Sequence, residues 1–367
     1  MPLDITAAAS AALPRAPRTT ADRCPTAIAL HPAADGLIAR VRLPGGRLTP
    51  AQARLLAAWA PGDDERIELT GRGNLQLRGL SADQSGPLAA ALHGAGLLPS
   101  EPHDQARTLV ASPVAGRLPG AVMVDAILVA IDAALCEAPE LTALSGRFLT
   151  AVDDGTGAVD VAAADVALVP AGRAHPRVSG RPRPAGAFSA AAIENVLAGE
   201  RFALLVGGRA TGLVDAAEAP AAVIAAALAF VQAAAGTAWQ VRELPDGGAA
   251  IRAALVDDGV VESLGAARVS FRRSALPPLG RGQQVDGRAF VRASSVLGRL
   301  TAAQLLAAAE AAEQGHTDLR IATDRTLTLV DLAPKHATAA LERLAAAGLP
   351  VDDADPAPGL TACAGLG

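Results

Sequence analysis

The chain has 367 residues, of which 32 are basic and 37 acidic, so its formal net charge is −5. This length predicts two or three domains with sizeable cores, and the slightly acidic balance argues against a general nucleic-acid-binding protein. Its three cysteines are widely separated and lack zinc-type spacing, which excludes a disulfide scaffold and favours a reducing, cytoplasmic compartment.

The N-terminal segment and one apolar run raise the question of targeting and membranes. The first 26 residues are rich in Ala, Pro and Thr and lack the apolar stretch of a secretory signal, so we expect 1–26 to be a disordered leader. The run Ala219–Trp239 is apolar, but it is mostly alanine and contains Gln232 and Gly236. This composition predicts a buried helix, and we expect no membrane partner.

An internal repeat is the most informative feature of the sequence. Arg47–Gln52 and Arg299–Gln304 share the pattern Arg-Leu-Thr-x-Ala-Gln before an alanine-rich segment, at an offset of 252 residues. The same offset aligns a series of apolar positions, Leu69, Leu75, Leu77 and Leu80 with Ile321, Leu327, Leu329 and Leu332. Upstream, two Asp-Gly pairs at 35–36 and 286–287 are one residue out of phase. Chance similarity between alanine-rich helices is the alternative, but a register kept through strands, turn and helix end favours a duplication.

Each copy is predicted to be a small α/β unit in the order strand–helix–strand–strand–helix. In the first copy, the strand over 37–43 alternates, with apolar residues on one face and Arg40 and Arg42 on the other. Thr49 then caps a helix that begins with proline, and a hairpin and a second helix follow over 66–94. This order predicts an α+β fold in which helices cover one face of a mixed sheet.

A larger block lies between the two copies. Its predicted helices and strands cover 120–138, 147–153, 166–169, 202–206 and 219–235. Gly207 and Gly208 follow the strand that ends at 206, and 176–184 is predicted to be a rigid basic loop. The segment 246–281, which contains two consecutive prolines, is predicted to be a surface connection.

The repeated units and two short motifs together resemble the sirohaem nitrite/sulfite reductase superfamily. The motifs are Leu69–Gly79, with the sequence LTGRGNLQLRG, and Arg107–Pro113, with the sequence RTLVASP. Within that superfamily, Arg23-Cys24-Pro25 and Gly359–Gly365 resemble the precorrin-3B synthases of aerobic cobalamin synthesis. The resemblance extends from Arg23 onward, and it depends on the order and spacing of the motifs.

The resemblance implies a domain organisation for the chain. Two ferredoxin-like half-domains would occupy 27–102 and 282–356, with a larger nitrite/sulfite reductase-type α/β domain over 103–245 between them. The 246–281 connection would join that domain to the second half-domain, and 357–367 would begin a cluster-binding domain.

The resemblance also implies which residues meet the tetrapyrrole. The expected catalytic residues are Arg72, Arg107 and Arg147, because planar guanidinium groups pair bidentately with the carboxylates around a precorrin. The expected cofactor-binding residues are Asn74, Gln76, Gly207, Gly208 and Cys363. The arginines and glycines among these residues also have a purely structural explanation. Arg72 would be a cation of the turn, Arg107 and Arg147 would be charges at strand edges, and the two glycines would form a plain turn.

The segment Arg147-Phe148-Leu149 bears on the substrate. Sulfite reductases have two lysines flanking a phenylalanine and hold a small anion with them, whereas this chain has one cation and a leucine. The resemblance therefore implies oxygen-dependent hydroxylation and lactone formation on the precorrin-3A macrocycle, with an external electron donor. The alternatives are a sirohaem sulfite or nitrite reductase and a non-catalytic tetrapyrrole-binding relic.

The family's redox centre is a 4Fe–4S cluster held by four cysteines. Cys363 matches the first of these and is the expected metal ligand, while Cys24 and Cys136 lie in unrelated stretches. Sirohaem or mononuclear iron are the other groups the resemblance allows. We expect a chain that lacks its last domain through a frameshift, a premature stop or a fragmentary gene model, with a degenerate relic or a split protein as alternatives.

Overall fold

The computed structural model describes residues 18, 22–60, 66–173, 197, 199–264 and 274–354. The chain divides into two compact units, each assembled from two stretches of sequence. The central unit comprises Met1–Asp22 and Gly120–Ala275, and the duplicated unit comprises Arg23–Pro119 and Leu276–Gly367. The α+β class predicted from the sequence is confirmed.

The described helices and strands follow the two copies of the repeat and the block between them. The first copy contributes β1 (His31–Ala33), β2 (Gly36–Val41), β3 (Arg47–Leu48), α1 (Pro50–Ala58), β4 (Arg66–Leu69), β5 (Leu75–Leu80) and α2 (Ser85–Gly94), followed by β6 (Leu109–Ala111). The block contributes α3 (Asp125–Glu137), β7 (Thr150–Val152), β8 (Val166–Arg173), β9 (Glu200–Val206), β10 (Arg209–Asp215), α4 (Ala219–Ala234), α5 (Ala249–Asp257) and β11 (Glu262–Ser263). The second copy contributes β12 (Gly280–Gln283), β13 (Ala289–Ser294), β14 (Arg299–Thr301), α6 (Ala302–Gly315), β15 (Leu319–Ile321), β16 (Thr326–Leu332) and α7 (Pro334–Ala346).

The duplicated unit contains two five-stranded sheets, and each is completed by a short strand from the other copy. The strand orders are β1–β2–β5–β4–β14 and β12–β13–β16–β15–β3. The predicted mixed sheets are wrong, because the pairs described in both sheets are antiparallel. Strands β2 and β4, which flank α1 in the sequence, do not pair with each other because β5 lies between them.

The predicted repeat register is confirmed by the strand pairing. Ile67 lies opposite Leu77 in the first copy, as Leu319 lies opposite Leu329 in the second. The phase difference upstream is one additional residue, Arg288, after the second Asp-Gly turn. Apolar side chains from one face of each sheet and from α1, α2, α6 and α7 form one hydrophobic core, which explains why the apolar positions coincide in both copies.

The central unit is built on a sheet with the strand order β11–β10–β9–β8–β7. Strands β7 and β8 are parallel, and the pairs from β8 to β11 are antiparallel. The buried helix predicted over 219–235 is confirmed as α4. Its Phe230 packs against Phe148, with 5.0 Å between the centroids of the two rings. Among the helices of the described residues, none has both the length and the hydropathy needed to cross a membrane.

Two segments of the central unit differ from the predicted organisation. The surface connection predicted over 246–281 contains α5, which buries Ile251 and Leu255, because these residues lie four apart on one helical face. The leader predicted over 1–26 includes Arg18 and Asp22. Both have side-chain bonds within this unit, to Glu243 and to Ser145 respectively.

Candidate functional site

The predicted site residues divide between the two units. The duplicated unit contains Arg72, Asn74, Gln76 and Arg107, and the central unit contains Arg147, Gly207 and Gly208. Cys363 and the predicted basic loop at 176–184 lie outside the described residues.

In the duplicated unit, Arg42 follows the end of β2 and is 1% exposed. Its Nε donates to the backbone oxygen of Asp104 at 3.3 Å, and its buried Nη2 has no hydrogen-bond partner among the described residues. Burial, together with repulsion from Arg40 and Arg72, lowers the pKa of Arg42 to about 10. A buried N–H donor without an acceptor is costly. The Oδ1 of the nearby Asp104 is a buried acceptor that also lacks a partner among the described residues, so an unsatisfied donor and an unsatisfied acceptor belong to the same charged group.

Arg42 interacts with two other arginines and with the buried carboxylate of Asp104, which interacts with a fourth arginine. We call Arg40, Arg42, Arg72 and Arg107 the arginine cluster. Electrostatic interactions link Arg42 to Arg40 and Arg72, and link Asp104 to Arg42 and Arg107. Burial raises the pKa of Asp104, while a backbone N–H and the two arginines oppose the rise. Four cations and one carboxylate leave an excess of positive charge among these five groups, which suits a ligand with several acidic groups.

Two of the three predicted catalytic arginines lie in this cluster. Arg107 is 2% exposed and donates from Nη1 to the oxygen of Leu97 at 3.0 Å, whereas Arg72 is half-buried in the turn between β4 and β5. The sequence placed Arg40 and Arg42 on the polar face of their strand, but they were not assigned to the site. Two arginines opposite an apolar face were the signal that could have identified them.

Asn74 and Gln76 make bonds within the first sheet and its turn. Asn74 is buried, and its Oδ1 accepts from the N–H of Leu43 at 2.9 Å. Gln76 Oε1 accepts from Arg40 Nε at 3.0 Å, and Gln76 Nε2 donates to Glu68 Oε2 at 2.9 Å. Gln76 thereby holds one member of the arginine cluster in place, and contact of either residue with a cofactor stays a prediction.

In the central unit, Arg147 is exposed and its guanidinium lies over the ring of Trp239, with 5.0 Å between Cζ and the ring centroid. The Cζ of Arg18 lies 4.0 Å from the same centroid, and Arg18 also pairs with Glu243 at 2.5 Å. A cation–π contact orients a guanidinium without neutralising it. Arg147 is therefore held in place with its charge still available to an anion.

Gly207 and Gly208 form the turn between β9 and β10, with φ of 60° and 72°. A Cβ on Gly208 would lie 2.7 Å from the backbone oxygen of Ala162, and one on Gly207 would lie 3.0 Å from a methyl of Val241. Both positions require glycine because of the turn and of close contacts inside the central unit. Their approach to a macrocycle stays a prediction.

The cysteines of this chain do not fit a 4Fe–4S cluster by themselves. Such a cluster needs four thiolates, and the sequence has three cysteines. Cys24 lies in the duplicated unit and Cys136 in the central unit. Within the described part of the chain, no group of three or more His, Cys, Asp or Glu side chains is arranged to hold a metal ion.

Comparisons with known proteins agree with this architecture. Residues 31–95 and 281–347 each match the Nitrite/Sulfite reductase ferredoxin-like half domain, which confirms that the predicted fold contains duplicated ferredoxin-like half-domains. A ferredoxin–nitrite reductase of Synechococcus elongatus is 33% identical over 144 residues, which cover 36% of this chain and 28% of that protein. The fold is similar to that of the NirA protein of Mycobacterium tuberculosis, with a TM-score of 0.66 and 19% identity over 90% of this chain and 60% of that chain. The chain thus spans less than two thirds of either protein.

Proposed function

We propose that this chain, which carries two half domains of the nitrite/sulfite reductase family, is a precorrin-3B synthase-like oxidoreductase. It would bind a tetrapyrrole that bears carboxylates. The proposed reaction is the oxygen-dependent hydroxylation of precorrin-3A with lactone formation, for which an external donor supplies electrons. The observation that carries the proposal is the arginine cluster with the unsatisfied Nη2 of Arg42.

The composition of the cluster favours a ligand with several carboxylates. Guanidinium groups pair bidentately with carboxylates and stay charged when water is excluded. Four arginines linked by electrostatic interactions favour a flat macrocycle with several carboxylates on its rim over a small inorganic anion. In the central unit, Leu149 offers no charge where sulfite reductases have a second lysine.

The chain's own residues would bind and orient this ligand. The buried Arg42 and Arg107 would hold carboxylates away from water, and the half-buried Arg72 would hold one at the rim of the site. The three cysteines of this sequence do not fit the family's four-cysteine cluster.

Two other functions are each favoured by one observation. The arginine cluster, which can bind carboxylates without any redox group, favours a protein that binds the tetrapyrrole without changing it. The identity with a ferredoxin–nitrite reductase favours reduction of a small oxyanion, although Leu149 counts against it.

Titration with uroporphyrin III, a porphyrin with eight carboxylates, tests the binding step through its Soret absorbance. Arg42→Gln and Arg72→Gln should each weaken binding about tenfold or more, because each removes a charge-assisted bond of about 1.5 kcal/mol or more. The matched control is Arg54→Gln, on the exposed surface of α1, where Arg54 pairs with Glu313; it should bind like the wild type.

Failure of the wild type to bind, or unchanged binding in both cluster variants, would contradict the proposal. Incubation of the wild type with precorrin-3A, dioxygen and a reductant then separates the three functions. A hydroxylated lactone supports the synthase, bound but unchanged precorrin supports the non-catalytic protein, and consumption of nitrite or sulfite instead supports the reductase.

A further inference from the structure

Asp165, directly before β8, is a buried carboxylate that connects three separate segments of the central unit. It is 3% exposed. Its Oδ2 accepts from the N–H of Leu149 at 2.8 Å, and its Oδ1 accepts from the N–H of Val241 at 2.7 Å. Its backbone oxygen accepts from the N–H of Gly207 at 2.8 Å. One residue therefore fixes the segment after Arg147, the glycine turn and the segment after Trp239.

The two side-chain bonds of Asp165 hold the backbone next to the stacked pair of Arg147 and Trp239. Each bonded amide lies two residues after one member of the pair. A third bond joins the segments directly, because Gln240 Nε2 donates to the backbone oxygen of Arg147 at 3.2 Å. The 5.0 Å separation between the guanidinium and the ring is thus set by backbone attachments on both sides.

The opposite side of the Arg147 segment is held by a second carboxylate. Asp22 Oδ2 accepts from Ser145 Oγ at 2.6 Å and from the N–H of Gly146 at 2.9 Å. Ser145 Oγ in turn accepts from the N–H of Arg147 at 3.0 Å. The bonds of Asp22 hold the segment of Arg147, whereas the carboxylate of Asp165 bonds to both segments, so Asp165 couples the two together with Gln240.

We propose that Asp165 is a positioning residue that holds Arg147 over Trp239 in one fixed arrangement for a ligand carboxylate. The identity of that ligand rests on the proposed function, and Asp165 itself does not contact it. An arginine side chain loses rotamer freedom when it binds an anion, so an arrangement already fixed in the folded protein improves affinity.

The environment of Asp165 makes this coupling sensitive to pH. Burial raises the pKa of Asp165 to about 6, and the bonds from Leu149, Val241 and Gln240 and the nearby charge of Arg242 oppose the rise. A protonated carboxyl has one good acceptor oxygen in place of two, so the link between the two segments weakens as the pH falls through 6. Three further charged groups lie near the pair: Arg18 and Glu243, which bind each other, and Asp22, which interacts with Arg18.

The test uses Trp239 as a spectroscopic reporter in the full chain with Trp59→Phe, since the sequence has two tryptophans. The emission of Trp239 should change with a midpoint near pH 6. Asp165→Asn should abolish this transition and show the low-pH emission throughout. The matched control, Asp160→Asn at an exposed position of the same unit, should keep the transition.

A double-mutant cycle shows whether Asp165 acts through Arg147. At pH 7.5, Asp165→Asn and Arg147→Gln should each increase the quenching of Trp239 emission by acrylamide, because the guanidinium no longer covers the ring. Asp165→Asn should have no further effect when Arg147 is already replaced. An equal increase in both backgrounds would overturn the proposal.

Persistence of the emission transition in Asp165→Asn would overturn it as well. If the wild type does not bind uroporphyrin III, the proposed function fails, and the titration and quenching of Trp239 decide whether Asp165 couples the two segments. If Asp165→Asn does not fold, the titration is made on the protein with Asp165 intact, where the absence of a transition near pH 6 contradicts the proposal.

Discussion

The two copies of the repeat share a framework but differ on the sheet face that points away from the helices. Equivalent positions form one row across four neighbouring strands, Arg40, Gln76, Glu68 and Arg299 in the first copy and Arg292, Thr328, Arg320 and Arg47 in the second. In the first row, Glu68 accepts from Gln76 and pairs with Arg299 at 3.4 Å. In the second row, an arginine occupies the position of that glutamate. The duplication therefore preserved the strand register, while the polar face diverged.

Carboxylates of the second copy pair with two buried arginines. Asp324 pairs with Arg292 of the same copy at 2.6 Å, and Asp331 pairs at 2.6 Å with Arg117, which precedes the central unit in the sequence. The buried Nε of Arg292 nevertheless has no hydrogen-bond partner among the described residues. In the first copy, the buried Nη2 of Arg42 has no hydrogen-bond partner in the described part of the chain. The position of Asp324 is occupied by Arg72 in the first copy, so the duplicated frame carries a carboxylate beside its arginines on one side and a further arginine on the other.

Each sheet of the duplicated unit contains a short strand from the other copy. A substitution next to this strand should lower the free energy of unfolding more in the first copy than in the second. Gly46 has φ of +70°, and a Cβ there would lie 1.9 Å from the backbone oxygen of Ile321. At the equivalent Gly298, with φ of +75°, a Cβ would meet the mobile side chain of Arg325 at 2.7 Å and the backbone oxygen of Leu69 at 3.5 Å. Gly46→Ala should lower the free energy of unfolding by about 3 kcal/mol or more, and Gly298→Ala by about 1–2 kcal/mol.

Urea denaturation followed by Trp59 emission in the Trp239→Phe protein measures both losses in the duplicated unit. Gly86→Ala in α2 is the matched control, because its Cβ would meet nothing within 4 Å. It should raise the free energy of unfolding by up to about 1 kcal/mol. Equal losses at Gly46 and Gly298 would show that the exchange is symmetric in energy as well as in topology.

A second asymmetry lies near the end of the last strand of each copy. Gly79 has φ of 77°, whereas the equivalent Asp331 has φ of 58°, a conformation that costs a residue with a Cβ about 1–2 kcal/mol. The Asp331 carboxylate accepts from Arg117 Nε at 2.8 Å and from Gln284 Nε2 at 2.9 Å. Asp331→Gly relieves the backbone but removes the counter-charge of a buried guanidinium, so the free energy of unfolding should fall by about 2 kcal/mol.

The pair with Arg117 has a matched test and a pH signature. Arg117→Met combined with Asp331→Gly should recover most of the loss, because the uncompensated charge is gone. Burial by itself would raise the pKa of Asp331. The bonds from Arg117 and Gln284 outweigh this effect and lower that pKa below its usual 3.8. The carboxylate thus stabilises the fold above about pH 4 and loses that effect as the pH falls through the lower folded value. A difference between wild type and Asp331→Gly that does not shrink as the pH falls below 3.8 would contradict this assignment.

The sequence predicted those parts of the fold that depend on local signals. The hairpin over 66–80 and the helix over 85–94 were found because apolar spacing and turn residues mark them. The strand exchange was not predictable, because β3 is two residues long and its partner strand belongs to the other copy.

The candidate site could be predicted only in part for a similar reason. The positions of Arg72 and Arg107 follow from motifs, and Arg42 was visible in the alternation of its strand. Asp165 has no sequence signal, because the groups that it bonds are backbone amides brought to it by folding.

The smallest effect is expected where the copies are most alike, at the N-caps of α1 and α6. Thr49 Oγ1 accepts from the N–H of Gln52 at 3.2 Å, and Thr301 Oγ1 accepts from that of Gln304 at 3.1 Å. In both boxes the glutamine Oε1 accepts in return from the threonine N–H, at 2.9 and 3.0 Å. Thr49→Ala and Thr301→Ala should therefore each cost about 1 kcal/mol and agree within about 0.5 kcal/mol in the same urea experiment. A larger gap would mean that the two helices differ in energy despite equal geometry, and the divergence between the copies would then extend from the polar face into the shared framework.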